Sequence, residues 1–221
     1  RSVCEVFAVT GALAGTRMRK SIMDHLFVNG ITELIPNDPV FSHLDLRFSR
    51  MQNLYANRMC HLLTNTKAVI QTAILYHGEN EWYEGECMKF QKPAAELARS
   101  QISYDVIPSD VFSEREYYQT DCTNGLCING NQYDALIIPQ AEALDGCVLE
   151  FLHENQNRCK VFFVNHEPSA EAKTGRLPGK LPGQCVALSG LAKAVRQTVR
   201  QDLHVVGAGE NLRIAHYLDD N

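Results

Sequence analysis

From residue 69 onwards, short apolar runs alternate with amphipathic stretches, which is the pattern of parallel strands joined by crossover helices. Strands are predicted at 69–76, 104–108, 135–139, 160–164 and 185–188. Helices are predicted at 88–100 and 191–201, and a third is predicted to follow Asp145 and Gly146 and to end at about Asn155. The run Lys-Val-Phe-Phe-Val is nearly all apolar, as expected of a strand that helices cover on both faces. The pattern predicts a flavodoxin-like α/β fold with a parallel sheet of about five strands.

The residues before and after this pattern are organised differently. A strand at 5–9, a helix at 18–29 and a strand at 30–36 are predicted to form one β-α-β unit, and a helix at 51–65 follows. In the tail, apolar and polar residues alternate over 212–218, as in a strand with one solvent-exposed face, but the sequence shows no strand with which it could pair. These unpartnered ends indicate either a fragment of a longer protein or ends that pack in an unusual way. The predicted domain boundaries are 1–65, 66–205 and 206–221.

Composition and charge narrow the classes of function. Of 221 residues, 45% are hydrophobic and 21% are charged, as in an ordinary folded domain. The net charge of −5 is spread along the chain without a basic block, which argues against nucleic acid as a partner. No stretch approaches the roughly 20 apolar residues of a membrane span, and the start has no signal-peptide core. A cytoplasmic protein with no membrane partner is expected.

The eight cysteines are scattered singly through predicted core and loops, so reduced thiols are expected. Cys122 and Cys127 are the closest pair, and the Asn124-Gly125 turn between them is not metal-ligand spacing. After the first strand, the sequence around Gly78 has a single glycine, which does not make a phosphate-binding loop. We therefore expect neither a metal nor another cofactor.

An acidic segment follows the first predicted strand, at the edge where open α/β sheets bind ligands. It contains Glu79, Glu81, Trp82, Glu84 and Glu86. One interpretation is a ligand site, which His77 and His166 could join because both follow predicted strands. The alternative is a solvated loop whose tryptophan packs on a neighbouring domain, since several carboxylates without a basic partner bind anions poorly.

Several stretches resemble the glycoside hydrolases of the family-42 β-galactosidase type. The most specific are Ala-Ile-Leu-Tyr-His-Gly-Glu-Asn-Glu-Trp at 73–82 and Ile-Ser-Tyr-Asp-Val-Ile-Pro-Ser-Asp at 102–110. Both resemble the first two strands of the flavodoxin-like module that follows the TIM barrel in those enzymes. Glu5-Val6-Phe7 and the stretch 30–36 resemble the seventh and eighth barrel strands. The resemblance implies that 1–65 ends a (β/α)8 barrel and that 206–221 begins a further β-domain.

The resemblance also implies a function for each part. Glu5 matches the catalytic carboxylate at the end of the seventh barrel strand. Retaining hydrolysis needs two carboxyl groups roughly 5 Å apart, so this chain alone is expected to be inactive. The parent enzyme would act on O-glycosidic bonds of a carbohydrate substrate. Its flavodoxin-like module would serve structure and the assembly of a homo-oligomer.

Other enzyme classes share the fold. Class I glutamine amidotransferase domains use a nucleophilic cysteine on a Gly-x-Cys-x-Gly elbow. Cys185 has Gly183 before it but Ala187 after it, and His166 is directly followed by Glu167, so that pattern is broken. The remaining alternative is a free-standing enzyme or small-molecule binder that uses the loop 79–86 together with His166.

Overall fold

The computed structural model describes residues 2–8, 14–37, 46–82, 85–156, 158–176, 178–199, 203–207 and 209–219. The chain divides into two compact units. One contains Arg1–Val69 with Arg213–Asn221, and the other contains Ile70–Leu212. No helix among the described residues is long and apolar enough to cross a membrane.

The first unit is built on the β-α-β unit that the sequence predicts. Strands β1 (Val3–Val6) and β2 (Glu33–Pro36) pair in parallel and are joined by helix α1 (Thr16–Val28). Helix α2 spans Leu46–Leu63. Apolar side chains from the end of the first strand and from both helices pack together in one small core, which contains Val6, Phe7, Met23, Phe27 and Leu63.

The tail strand has a partner, contrary to the expectation from the sequence. Strand β13 (Tyr217–Asp219) pairs antiparallel with β3 (Thr66–Ala68), directly after α2. The Tyr217 hydroxyl also donates a hydrogen bond to the carbonyl oxygen of Phe27 at 2.6 Å. A pairing between segments so far apart in sequence leaves no local pattern, which is why alternation alone could not reveal it. The assignments to a barrel end and to a further domain stay predictions.

The second unit contains the predicted parallel sheet. Its strands are β4 (Thr72–Tyr76), β5 (Asp105–Pro108), β8 (Ala135–Ile138), β10 (Lys160–Val164) and β12 (Gln184–Val186). The spatial order is β12-β10-β8-β4-β5, and every neighbouring pair is parallel. This is the flavodoxin-like order, so the predicted fold class is confirmed.

Helices cover both faces of this sheet, as the apolar runs predict. They are α3 (Gln91–Arg99), α4 (Asp110–Ser113), α5 (Gly146–Glu154) and α6 (Leu191–Thr198). Alternate residues of one strand enter different cores. Ala73 and Leu75 pack in the cluster that contains Phe151 of α5, whereas Ile74 packs in the cluster that contains Leu97 of α3.

The second unit also contains two smaller strand pairs outside the five-stranded sheet. Strands β6 (Leu126–Ile128) and β7 (Asn131–Tyr133) form an antiparallel hairpin before the third sheet strand. Its turn residues Asn129 and Gly130 both have positive φ, at 49° and 75°, as a tight hairpin requires. Strand β9 (Ala143–Leu144) pairs in parallel with β11 (Ala170–Glu171).

A half-buried carboxyl group links this hairpin to the edge strand of the sheet. The Tyr133 hydroxyl donates a hydrogen bond to Asp105 Oδ2 at 2.8 Å. Burial raises the pKa of Asp105, and the hydrogen bond from Tyr133 opposes that effect. The folded protein therefore favours the protonated carboxyl group. Its contribution to stability is present below the unfolded-state pKa and is lost as the pH rises through the higher folded-state pKa.

We predict that Asp105→Asn stabilises the protein at pH 7 relative to the unmodified chain, and that this gain shrinks towards pH 4. The amide still accepts from Tyr133 but carries no charge to bury. Urea denaturation at both pH values measures the effect, with exposed Asp134→Asn as the control. Tyr133→Phe should cost about 1 kcal/mol, because the half-buried Asp105 carboxyl group loses its hydrogen-bond donor. An equal effect of Asp105→Asn at both pH values would refute the pKa shift.

Candidate functional site

The carboxyl edge of the five-stranded sheet is the first place to look for a site. Doubly wound sheets bind ligands in the crevice where the strand order reverses, which lies between β4 and β8 in this unit. The chain leaves β4 through His77 and a short 3₁₀ turn at Gly78–Glu81. It leaves β8 through Pro139 and Gln140. Ligand-binding backbone groups would come from these two exits.

At this reversal point, the segment that follows β4 forms backbone hydrogen bonds with the segment that follows β8. Cys87 and Ala141 form an isolated antiparallel bridge. The Met88 amide donates to the Gln140 carbonyl at 2.7 Å, and the Glu142 amide donates to the Glu86 carbonyl at 2.9 Å. We name the paired segments 86–88 and 140–142 the edge bridge. Their backbone groups are bonded to each other, so these groups are not offered to a ligand.

Side chains extend the edge bridge to two more strand ends. The Gln140 amide donates to Glu86 Oε2 at 3.3 Å, and the Asn165 amide donates to Gln140 Oε1 at 2.5 Å. Asn165 Oδ1 accepts from the Leu188 amide at 3.2 Å. The backbone amide of Asn165 donates to the Val186 carbonyl at 2.8 Å. Loops that follow β4, β8, β10 and β12 are thus joined in one hydrogen-bonded network.

The acidic segment does not form the converging site that one interpretation required. Glu84 lies outside the described residues, and so do the side chains of Glu79 and Glu81. Glu86 is engaged in the edge bridge, and Trp82 is 84% exposed. Across the described parts of the chain, no group of three or more His, Cys, Asp or Glu residues is placed to hold a metal ion.

His77 and His166 have separate surroundings. His77 is buried, and its Nδ1 lies 3.9 Å from the Cys87 sulfur. His166 is exposed, and its Nδ1 lies 3.0 Å from the carbonyl oxygen of Glu167. Asn80, which follows His77 closely, is 3% exposed, and both polar atoms of its side-chain amide lack a hydrogen-bond partner. Asn80, Gln140 and Asn165 were not identified from the sequence as site residues.

Cys185 does not have the environment of an activated nucleophile. It lies on the edge strand β12, with its sulfur 3.9 Å from Glu167 Oε1. Burial raises the pKa of the Cys185 thiol, and the negative charge of Glu167 raises it further. The thiol is therefore protonated at neutral pH, whereas a nucleophilic cysteine works as the thiolate. This agrees with the broken elbow pattern in the sequence.

Glu5, the predicted catalytic residue, lies near the carboxyl end of β1 in the first unit. Its side chain is exposed, and its Oε1 accepts a hydrogen bond from Asn37 Nδ2 at 2.5 Å. The Asn37 backbone amide donates to the Val6 carbonyl at 2.9 Å, which fixes Asn37 beside the strand end. Glu33, the other carboxylate of these two strands, pairs across from Val3 at their amino end. Glu5 therefore lies towards the carboxyl end of the strand pair and Glu33 at its amino end.

Comparison with known proteins gives structural likenesses only. The sequence matches no protein-family model and none of the curated proteins. Among solved structures it is similar to α-L-fucosidase isoenzyme 2 from Paenibacillus thiaminolyticus, with a TM-score of 0.53 and 13% identity over 80% of this chain and 26% of that one. At this identity the likeness shows a shared fold.

Two further structures are similar at lower scores. They are β-galactosidase from the psychrophilic Marinomonas ef1 and the apo exo-carrageenase GH42 from Bacteroides ovatus. Their TM-scores are 0.48 and 0.49, each at 11% identity, and 82% and 84% of this chain are covered. The chain spans only 26% to 29% of the length of the three proteins. The fold that this chain shares with the fucosidase covers 26% of that protein.

We predict that Asn165→Ala costs about 1–2 kcal/mol of unfolding free energy. The change removes two side-chain hydrogen bonds and places alanine at a φ of 66°. Asn165→Gly removes the same bonds but tolerates this φ, so it should cost less, and the difference isolates the backbone strain. Gln156→Ala, at an exposed position, is the control. If Asn165→Ala proves as neutral as Gln156→Ala in urea denaturation, the network does not hold this edge together.

Proposed function

We propose that this chain is part of a glycoside hydrolase, in which the first unit carries a catalytic carboxylate and the second unit is structural. The observation that carries the proposal is the edge bridge, because it pairs the backbone groups that an enzyme of the flavodoxin-like fold would use for its ligand. The shared fold with part of the fucosidase supports the same division of roles. Cleavage of an O-glycosidic bond is the proposed reaction.

Glu5 is the proposed nucleophile or acid/base of that reaction. The hydrogen bond from Asn37 occupies one carboxylate oxygen and sets the plane of the group, which leaves Oε2 for the substrate. In a retaining enzyme, one carboxylate attacks the anomeric carbon while a second, roughly 5 Å away, protonates the leaving oxygen. Because Glu5 matches the carboxylate at the end of the seventh barrel strand, the role of nucleophile is favoured for it. The second carboxylate would come from another part of the barrel.

The second unit is proposed to hold subunits together in a homo-oligomer. Its two cores are complete on both faces of the sheet, so it is a stable platform that needs no ligand to order its carboxyl edge. Cysteines that are all free thiols suit the reducing conditions of the cytoplasm, which is the proposed location. Carbohydrate is the proposed substrate, and no part of the proposal involves nucleic acid or a membrane.

A small-molecule binder is the second candidate, and Asn80 is the observation that favours it. A buried amide without hydrogen-bond partners is costly unless something satisfies it. A ligand at the end of β4 could do so. Backbone amide NMR distinguishes the candidates: a binder should show shifts confined to 77–80 when sugars or nucleosides are added, whereas the structural unit should show none.

We predict that this chain, by itself, releases no aryl alcohol from aryl α-L-fucosides or β-D-galactosides above a buffer control. Glu5 cannot serve as both nucleophile and acid in one subsite. The assay is spectrophotometric, and far-UV circular dichroism of the same sample confirms that the chain is folded. Clear turnover would place both catalytic groups within residues 1–221 and would contradict the division of roles.

In the longer hydrolase, we predict that Glu5→Gln lowers kcat by at least about a thousandfold with the fold intact, as expected for a positioned catalytic carboxylate. Glu33→Gln is the matched control, because it changes a carboxylate on the paired strand at the opposite end. Asn37→Ala should lower kcat by a smaller factor, about tenfold, because Glu5 remains but is no longer oriented.

Azide separates the two proposed roles of Glu5. With Glu5→Ala, azide can attack the anomeric carbon in place of a missing nucleophile, and the product is a glycosyl azide of inverted configuration. Its formation identifies Glu5 as the nucleophile, and a glycosyl azide of retained configuration identifies it as the acid/base. Near-normal turnover of Glu5→Gln would remove Glu5 from the mechanism altogether.

A further inference from the structure

A buried arginine lies at the start of helix α1 in the first unit. The Arg19 side chain has no exposed surface, although arginine is rarely fully buried in folded proteins unless it is paired. The Arg19 backbone amide donates to the Gly15 carbonyl at 3.0 Å, so the residue lies in the first turn of the helix. Its side-chain Nε donates to the Ala14 carbonyl, also at 3.0 Å. The side chain therefore folds back over the amino end of its own helix.

The guanidinium group of Arg19 also covers an aromatic ring that follows β1. Its central carbon, Cζ, lies 4.9 Å from the centroid of the Phe7 ring, which is the distance of a cation–π contact. Phe7 is 5% exposed and belongs to the small core of the first unit. Phe7 and Ala14 lie near the two ends of the connection from β1 to α1. One side chain therefore contacts both ends of that connection.

Phe7 has a backbone conformation that its residue type rarely adopts. Its φ is 76°, in the left-handed region, which is unfavourable for any residue with a bulky side chain. This conformation ends β1 directly after Val6. A bulky residue keeps such a φ only where its surroundings hold it there. Burial of the ring in the small core and the Arg19 guanidinium over the ring supply that restraint.

The conformation of Phe7 affects Glu5 through the Val6 carbonyl. The peptide plane between Val6 and Phe7 carries that carbonyl, and its rotation relative to the anchored ring is set by the φ of Phe7. The carbonyl accepts a hydrogen bond from the Asn37 amide at 2.9 Å, and Asn37 Nδ2 donates to Glu5 Oε1 at 2.5 Å. A change of φ at Phe7 would therefore weaken the contact that orients Glu5.

We propose that Arg19 is a positioning residue for Glu5, an inference that rests on the proposed catalytic role of that carboxylate. Arg19 keeps Phe7 in its left-handed conformation. The Val6 carbonyl then stays aligned with the Asn37 amide, and the Asn37 side chain orients the carboxylate. Arginine suits this position better than lysine, because its planar guanidinium can cover a ring while Nε donates a hydrogen bond in the same plane.

The test in the longer hydrolase is a double-mutant cycle of Arg19→Met with Asn37→Ala. Methionine keeps a long side chain in the apolar core but neither donates a hydrogen bond nor carries a charge. Arg19→Met should lower kcat about tenfold at unchanged KM, because the substrate still binds but the carboxylate is misoriented. The double variant should be no slower than Asn37→Ala alone, because both residues act through one hydrogen bond. Losses that multiply to about a hundredfold, or an unchanged kcat in Arg19→Met, would overturn the proposal.

A spectroscopic measurement on this chain by itself distinguishes the inference from the proposed function. NMR of the Asn37 side-chain amide reports its hydrogen bond to the carboxylate, and Glu5→Ala gives the reference signal without that bond. Arg19→Met should move the Asn37 signal to this reference, whereas Arg17→Met, at an exposed position on the same helix, should leave it in place. An unmoved signal in Arg19→Met would overturn the positioning role even if Glu5 proves catalytic. A moved signal together with near-normal turnover of Glu5→Gln would refute the proposed function and leave the link from Arg19 to Glu5 intact.

The unmodified chain tests the contact even if a variant misfolds. The Arg19 Nε proton is buried and bonded to the Ala14 carbonyl, so it should exchange slowly with solvent. It should also show nuclear Overhauser contacts to the protons of the Phe7 ring. Rapid exchange of this proton, or the absence of contacts to the ring, would contradict the proposal.

Discussion

Two backbone hydrogen bonds at the edge bridge constrain what the second unit can do. In a doubly wound sheet, the strand ends at the reversal point leave amides and carbonyls that a ligand can satisfy. Here the Met88 amide bonds to Gln140, and the Glu142 amide bonds to Glu86. These backbone groups of the edge bridge are therefore satisfied within the chain. The same pairing positions Gln140 to contact Asn165, which carries the connection to the last two strands.

Chemistry in the proposed hydrolase is therefore assigned to the first unit. A strand that ends beside its parallel neighbour presents side chains at a barrel's carboxyl face, where catalytic residues are found. Asn37 follows β2 and reaches the Glu5 carboxylate, so the second strand contributes orientation to a group on the first.

Structure that depends on a local segment alone could be predicted from the sequence. The apolar runs predicted all five sheet strands, and their alternation with helices predicted the parallel order. Element ends were less accurate: the first sheet strand begins at Thr72 rather than residue 69, because hydrophobicity does not show where pairing starts. Glu5 was identified as a candidate only through a resemblance, since a lone exposed carboxylate has no pattern of its own.

Contacts between segments that are distant in the sequence could not be predicted from it. Gln140 and Asn165 are ordinary loop residues until β8 and β10 lie side by side and their exits meet. The pairing of the tail with Thr66–Ala68 likewise requires the folded register. Spacing rules apply to residues that are near in sequence, whereas these contacts join residues from separate elements.

Amide hydrogen exchange at the edge bridge tests the central claim most directly, because it asks whether the chain itself occupies the reversal point. The Met88 and Glu142 amides can be followed by NMR beside those of Ile74 and Ile137 in the sheet centre. The account predicts that the two bridge amides exchange nearly as slowly as the sheet amides. Rapid exchange of Met88 and Glu142, at the rate of an unpaired loop, would show an open crevice and would contradict a purely structural second unit.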